Sequence, residues 1–195
     1  MGAFWGCESL VSVKIPEGVE YIDGTVFGGC TSLKNIDIDE KNKNYLSENG
    51  IIFDKEKRVI IAYPAGKTEK SYNIPNTVTS IGDGAFSGCA SLTSVTIPDS
   101  VTSIGDSAFS GCTSLTSITI PKNVSSIGNY AFYYCNLLVD VYFEETTTPD
   151  FGSDSFYRDS GVKTIFHFKN QEVYDAFTES YYNKNYGEKS TDFNW

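Results

Sequence analysis

Apolar and small residues recur along this chain in a block of 23 positions. The stretch IGDSAFSGCTSLTSITIP, which begins at Ile104, repeats IGDGAFSGCASLTSVTIP, which begins at Ile81, with fifteen of eighteen letters identical. A fixed period of this length is typical of solenoid proteins, in which successive turns of the chain stack on one another. The hydrophobic pattern therefore predicts the architecture before any single residue is considered.

The pattern F-x-x-C-x-x-L-x-x-V/I-x-I/F occurs in five copies, and a sixth, degenerate copy begins at Phe156 after a slip of one residue. The aromatic positions of the five copies are Phe4, Phe27, Phe86, Phe109 and Phe132. The cysteines are Cys7, Cys30, Cys89, Cys112 and Cys135, at intervals of 23, 59, 23 and 23 residues. The interval of 59 equals two periods plus an insertion of 13 residues.

Each copy predicts the same short elements. The segment LTSITI places Leu115, Ile118 and Ile120 at strand spacing, so these side chains should point inward, and the proline that follows ends the strand. A second short extended segment comes next, and then a polar residue that we expect to cap a short helical turn; these residues are Asp83, Asp106, Asn129 and Ser153. One such unit cannot bury its apolar face alone, but a stack of them can. We predict a β-rich solenoid of about 23-residue coils over residues 1–169, with a truncated first coil.

Two segments depart from the repeat. Within residues 39–75, the apolar runs Ile51–Phe53 and Val59–Tyr63 flank a charged turn and predict a hairpin. Ile61, Tyr63 and Pro64 should imitate a repeat strand, so that the insertion extends the sheet. In the final segment, residues 170–195, Val173, Phe177 and Tyr181 are four residues apart, which predicts a helix, with Asn170 as its N-cap, that covers the last coil. The aromatic residues of the tail (Tyr186, Phe193 and Trp195) predict that the tail folds back on the solenoid.

Three stretches carry a resemblance to a known family: IGDGAFSGCASLTSVTIPDSV, NYLSENGIIFDKEKRVIIAYPAGK and FHFKNQEVYDAF. Over Met1 to Phe177 the chain resembles the BspA-like leucine-rich repeat family. The resemblance implies a curved leucine-rich solenoid from a microbial cell-surface or secreted protein, and some members of that family adhere to host matrix proteins. It implies no catalytic residues. We expect the chain to act outside the cell or on its surface, with the signal and anchor outside this segment.

Charge and composition exclude several classes of function. The net charge is −10, which argues against a surface that tracks nucleic-acid phosphates. No stretch approaches the roughly 20 consecutive apolar residues of a transmembrane helix, so we expect no membrane insertion. We also expect the chain to be a monomer. The cysteines form no C-x-x-C pair, and His167 is the single histidine, at or beside an inward strand position. We therefore expect buried thiols that do not pair in disulfides, no metal, no cofactor and no enzymatic activity.

The outward positions of the repeat strands form two rows on the predicted concave face. The first row is Lys14, Asp37, Thr96, Thr119, Tyr142 and Phe166, and the second is Ser12, Asn35, Ser94, Ser117, Asp140 and Thr164. The candidate ligand-binding residues are Ser94, Thr96, Ser117, Thr119, Asp140, Tyr142 and Phe166. Tyr142 and Phe166 should lie side by side as aromatic anchors. The alternative is that the cap helix or the tail covers Phe166.

The sequence favours a non-enzymatic module that binds a surface or matrix protein of a host or neighbouring cell, or a glycan. Two alternatives remain open. The chain could be a passive spacer that holds another domain away from a cell surface, or a carbohydrate-binding accessory domain. Loss of binding after Tyr142→Ala would favour the adhesion module, whereas a surface inert to every ligand would favour the spacer.

Overall fold

The computed structural model describes residues 3–144, 149–157 and 164–182. In chain order, the strands are β1 (Ser12–Ile15), β2 (Asn35–Ile38), β3 (Tyr45–Glu48), β4 (Ile51–Asp54), β5 (Val59–Ala62), β6 (Ser71–Asn73), β7 (Ser80–Ile81), β8 (Ser94–Thr96), β9 (Ser103–Ile104), β10 (Ser117–Ile120), β11 (Ser126–Ile127), β12 (Asp140–Phe143), β13 (Asp150–Phe151) and β14 (Ile165–His167). The helical elements are a 3-10 turn (Gly24–Phe27), helix α1 (Gln171–Phe177) and a π-helical turn (Thr178–Tyr182).

The predicted solenoid is confirmed. From β6 to β13, each coil contributes a first strand of three or four residues, a second strand of two residues and a turn segment. Second strands of successive coils pair in parallel, as do first strands within each sheet. The first strands form three sheets, with strand orders β1-β2, β6-β8 and β10-β12-β14. The second strands β7, β9, β11 and β13 form one side of a seven-stranded sheet. The side chains that alternate inward from both strand sets meet in a core between the sheets.

A ladder of stacked aromatic rings runs through this core. Phe86 lies 4.9 Å from Phe109, and Phe109 lies 5.1 Å from Phe132, with nearly parallel rings in both pairs. Phe156 continues the ladder at 4.9 Å from Phe132, which confirms the degenerate sixth copy. The inward strand positions are also as predicted, because Leu115, Ile118 and Ile120 are buried. The 23-residue period thus places like on like, and each copy buries the ring of the one before it.

Four of the five cysteines line the same core as free thiols, as predicted, whereas Cys7 of the first coil is exposed. Each buried thiol donates a hydrogen bond to the carbonyl oxygen of the ladder aromatic one coil earlier. Cys112 Sγ lies 3.2 Å from Phe86 O, and Cys135 Sγ lies 3.1 Å from Phe109 O. A cysteine at this position therefore fills a small apolar site and also satisfies a backbone acceptor.

The insertion forms the predicted hairpin and extends a sheet. Strand β4 pairs antiparallel with both β3 and β5, and β5 pairs in parallel with β7 of the seven-stranded sheet. Both faces of β4 are buried, so the strand divides the core. Ile51 and Phe53 pack with the later coils, whereas Ile52 packs with the first two coils.

The prediction that Ile61, Tyr63 and Pro64 imitate a first strand is wrong. Ile60 pairs with Ile81 of a second strand, and the Tyr63 ring stacks on Phe86 at 5.3 Å between centroids. Tyr63 therefore occupies the ladder position, 23 residues before Phe86. A complete coil lies within the interrupted segment, and β6 is its first strand.

The prediction that Asp83, Asp106 and Asn129 cap their own turns is wrong, although Asp23 of an earlier coil does accept a hydrogen bond from Thr25 N–H of its own turn. Asp83 Oδ1 accepts a hydrogen bond from the backbone N–H of Asp106 at 2.8 Å, and Asp106 Oδ1 accepts one from Asn129 N–H at 2.7 Å. In the same way, Asn129 Oδ1 accepts a hydrogen bond from the backbone N–H of Ser153 at 2.8 Å. The coils approach so closely here that a Cβ on Gly128 would collide with the backbone of Asp106. This close approach brings the backbone amide of the next coil within hydrogen-bond distance of the side chain. The side chains therefore join one coil to the next.

Helix α1 covers the last coil as predicted. Asn170 Oδ1 accepts a hydrogen bond from Val173 N at 3.0 Å, which is the expected N-cap. Val173, Phe177 and Tyr181 are buried, and the Phe177 ring lies 5.3 Å from Phe151 of the last second strand. The predicted return of the tail, with Tyr186, Phe193 and Trp195, lies outside the described residues.

Candidate binding face

The outward side chains of β8, β10, β12 and β14 form a continuous row pattern that we call the strand face. Ser117 lies opposite Asp140, and Thr119 lies opposite Tyr142, in the register that the repeat predicts. Ser94, Thr96, Thr119 and Tyr142 are exposed, and Ser117 and Asp140 are partly exposed. Six of the seven candidate residues therefore lie on this face. Whether they bind a ligand stays a prediction.

Phe166 is the exception, and its predicted place on the surface is wrong. It pairs with the inward residue Val141, is 6% exposed, and packs 4.8 Å from Phe177 of the cap helix. The prediction used the offset of 24 residues from Phe132 to Phe156, whereas the pairing of Val141 with Phe166 has an offset of 25. Because side chains on a strand alternate between faces, this further slip of one residue reverses all of them. The alternative stated above, that the cap helix covers Phe166, is confirmed.

His167 takes the outward place beside Tyr142. The two rings stack at 4.2 Å between centroids and within 10° of parallel. His167 Nε2 lies 2.7 Å from Asp140 Oδ1, so the carboxylate fixes the orientation of the imidazole while the parallel strands fix its position. Tyr142 is still 41% exposed. The arrangement presents a flat, pre-ordered aromatic surface next to a carboxylate and the hydroxyl rows.

Comparison with known proteins decides the family. The model of the BspA type leucine-rich repeat region matches residues 1–53 and 65–185, in six copies. The chain belongs to this family. The match confirms the resemblance drawn from the sequence and spans most of the BspA-type solenoid described above.

Solved structures agree with the BspA-type fold. A leucine-rich repeat protein from Eubacterium ventriosum is 32% identical with a TM-score of 0.76, over 85% of this chain and 44% of that one. The pneumococcal vaccine antigen PcpA is 20% identical with a TM-score of 0.62, over 90% and 55%. A leucine-rich cell surface protein from Faecalibacterium prausnitzii is 20% identical with a TM-score of 0.57, over 90% and 64%. The chain thus spans less than two thirds of each relative's length. Comparison with curated proteins gives no match.

Sequence reasoning missed His167 as a surface residue of this BspA-type module, although a signal was present. The last strand reads I-F-H-F, and strict alternation places Phe166 and Phe168 on one face and His167 on the other. Phe168 does pack against the core. Giving weight to the two phenylalanines instead of the count from Phe156 would have produced the observed register.

A groove of about 690 Å³ separates the strand face from the first two coils. It opens between β2 and β6. The coil that contains Tyr63 and β6, which we call the hidden coil, has Glu69 where the other coils have their buried leucine. The aromatic floor of the groove includes Tyr63 and Tyr72, and burial, followed by the charge of Glu48, raises the pKa of Tyr72 to about 12. Lys67 Nζ lies 3.3 Å from Glu69 Oε1 at the rim. The groove therefore interrupts the two rows of outward residues between β2 and β6, before the strand face begins at β8.

The described part of the chain was also searched for chemical centres. Within residues 3–144, 149–157 and 164–182, no group of three or more His, Cys, Asp or Glu side chains is arranged to hold a metal ion. None of the helices described is long and apolar enough to cross a membrane.

Proposed function

We propose that this chain is a non-enzymatic binding module of a bacterial cell-surface or secreted protein, and that it engages a protein partner through the strand face. The observation that carries the proposal is the exposed stack of Tyr142 on His167, oriented by Asp140. Aromatic side chains that are ordered before binding lose little conformational entropy when a partner covers them, which is why they dominate many interfaces.

The surroundings of the stack fit a protein partner. Ile165 lies opposite Asp140 on the neighbouring strand and is 37% exposed, so an apolar side chain flanks the carboxylate. The hydroxyl rows of Ser117 and Thr119 extend from there toward the middle coils. An apolar and aromatic centre with a polar margin is the usual composition of a protein–protein interface.

A place outside the cell is supported by the relatives, one of which is named a cell surface protein and another a vaccine antigen. The net charge of −10 is also consistent with an acidic, monomeric module that has no nucleic-acid partner. The repeat family and the relatives above are leucine-rich repeat proteins, which supports a role in binding and not in catalysis.

A glycan is the second candidate for the same site. A stacked ring beside a carboxylate is the arrangement that sugar recognition requires, because the ring packs on the apolar face of a pyranose while the carboxylate accepts from its hydroxyls. A passive spacer is the third possibility, and it predicts that no ligand binds.

The test is a binding screen of the purified chain against defined extracellular-matrix proteins and a glycan array. Tyr142→Ala should weaken a saturable protein hit by at least about tenfold. Thr113→Ala, a change of an exposed residue on a turn segment outside the strand face, is the matched control and should leave the affinity unchanged. A hit confined to glycans would replace the protein partner with a sugar. Silence in both panels from a folded chain would support the spacer.

A further inference from the structure

A second exposed aromatic surface lies on the turn segments, away from the strand face. We call Tyr130, Tyr133, Tyr134 and Tyr157 the tyrosine patch. Tyr133 stacks on Tyr157 of the next coil at 5.4 Å between centroids, and Tyr130 and Tyr134 stand edge-on to Tyr133 at 87° and 84°. Tyr130, Tyr134 and Tyr157 are 43%, 39% and 36% exposed. The four rings hold one another in place while most of them face solvent.

The fold does not need these rings. At the equivalent positions of the two preceding coils, the chain has Ser107, Ser110 and Gly111, and before them Gly84, Ser87 and Gly88. Those coils close the same backbone turn with the same bonds between coils. Gly111 N donates to Tyr133 O at 2.7 Å, and Tyr134 N donates to Tyr157 O at 2.9 Å.

Two of the tyrosines also occupy an unfavourable backbone conformation. Tyr130 and Tyr134 have φ of 56° and 55°, in the left-handed region where a bulky side chain is strained. Gly88 and Gly111 fill the position of Tyr134 in the sister coils, at φ of 75° and 74°. At the position of Tyr134 the chain thus replaces glycine with a strained aromatic residue at a surface, whereas at the position of Tyr130 the preceding coil already has a non-glycine residue, Ser107, at φ of 54°. Such strain is typical of positions retained for function.

Charge indicates what the patch would bind. From Asn123 to Tyr157, the sequence contains five acidic residues and no basic one, Arg158 being the next cation. The pKa of the Tyr133 phenol is raised, first by a hydrogen bond with Tyr134, then by desolvation, and least by the charge of Asp154. The faces of phenol rings are themselves negative, and a guanidinium stacks on them favourably.

We propose that the tyrosine patch is a docking surface for an arginine-bearing segment of a partner protein. Guanidinium groups would lie on the exposed ring faces within the acidic surroundings of these two coils. Leu137, which is 51% exposed and replaces the serine of the sister coils, adds an apolar contact suited to a protein chain. This surface is separate from the Tyr142 site, and neither proposal depends on the other.

The test uses the whole chain and a synthetic peptide of alternating arginine and serine as the probe. The sister-coil variant (Tyr130→Ser, Tyr133→Ser and Tyr134→Gly) restores the residues of the preceding coil and leaves the net charge unchanged. We expect it to weaken peptide binding at least about tenfold. A lysine–serine peptide of equal charge should bind the wild type more weakly, because ammonium groups stack less well than guanidinium groups. Tyr142→Ala should leave peptide binding unchanged.

Three outcomes would overturn the proposal. They are equal binding of the arginine peptide by wild type and sister-coil variant, no binding by wild type, or patch-dependent binding of a neutral glycan in place of the peptide. The single variant Tyr134→Gly, which has the residue of four sister coils (Gly6, Gly29, Gly88 and Gly111), keeps the test valid if the triple variant fails to fold. Grafting the residues onto the preceding coil with Ser107→Tyr, Ser110→Tyr and Gly111→Tyr should restore peptide binding in the sister-coil variant, and failure to do so would also count against the proposal.

Discussion

The turn segments 107–111 and 130–134 have the same backbone path but present different surfaces. Their inward residues are identical in type, with Phe109 and Phe132 both buried in the ring ladder. Their outward residues are serine and glycine in one segment and tyrosine in the other. Because the same turn forms with either set, the inward positions determine the stack. The outward positions are available for recognition.

The comparison also shows where the repeat tolerates change. The hidden coil replaces the ladder phenylalanine with Tyr63 and retains the stack on Phe86, but it replaces the ladder leucine with Glu69 and opens a groove. A substitution that keeps a ring in the ladder preserves the coil, whereas one that removes apolar volume changes the surface. We call this contrast between inward positions, which hold the stack, and outward positions, which form the surface, the division of the coil.

Thiol reactivity should separate the exposed cysteine of the first coil from the buried cysteines of the later coils most clearly. Cys7 should react quickly with a thiol reagent, while Cys112 and Cys135 should react at least about a thousandfold more slowly, because the coils must open first. The pKa of Cys112 is raised, by its interaction with Cys135 and by burial, so less reactive thiolate is present at any given pH below that pKa. Mass spectrometry after timed labelling measures the rates. Fast labelling of Cys135 alone would show that its coil, which carries Tyr130, Tyr133 and Tyr134 and which we call the tyrosine coil, is not packed like the preceding coil.

Removal of a ladder ring should strongly destabilise the tyrosine coil. Phe132→Ala removes a side chain stacked on both sides and should reduce the free energy of unfolding by about 3–5 kcal/mol. Tyr133→Ser, the adjacent outward change, should alter it by less than about 1 kcal/mol. Urea unfolding measures both. Similar losses for the two variants would contradict the division.

The carboxylate ladder should contribute less than the rings. Asp106→Ala removes the acceptor of Asn129 N–H and should cost about 1–2 kcal/mol. Asp106→Asn keeps an acceptor oxygen and should recover most of that loss. An alanine variant as stable as wild type would indicate that the hydrogen bonds between coils are exchanged for water at no cost.

A tyrosine placed in the sister coil should have a smaller net effect on stability than the loss of the Asp106 carboxylate. Gly111→Tyr puts a side chain at φ of 74°, with its Cβ in ordinary van der Waals contact with Gly88 at 3.6 Å, and should reduce stability by about 1–2 kcal/mol through backbone strain. New ring contacts with Tyr133 should offset part of this loss. A loss above about 3 kcal/mol would mean that the outward positions are restricted by packing.

The regular part of the fold could be predicted because the repeat states it several times. Phe86, Phe109 and Phe132 fall in register, and stacking then determines which side chains are buried. The last coil could not be placed by counting, since a slip of one residue reverses Phe166 and His167. The capping residues were misassigned because sequence spacing describes contacts within a coil, while the amide that Asp83 accepts from belongs to the next coil.

The candidate sites were less predictable than the fold. The hydroxyl rows follow from the period, but the stack of His167 on Tyr142 depends on the register of one degenerate strand. The tyrosine patch was overlooked because its residues align with serine and glycine positions of the other coils, which carry no hydrophobic signal. A comparison of the coils with one another, position by position, would have found it.

The free energy of unfolding of the sister-coil variant, measured by urea titration, is the most direct test of whether the outward residues of the solenoid are dispensable for its fold. Relief of strain at position 134, where glycine replaces Tyr134, should offset the lost ring contacts, so the value should lie within about 1 kcal/mol of wild type. A loss of about 3 kcal/mol or more would show that the tyrosines hold the coils together, and would contradict the assignment of this surface to recognition.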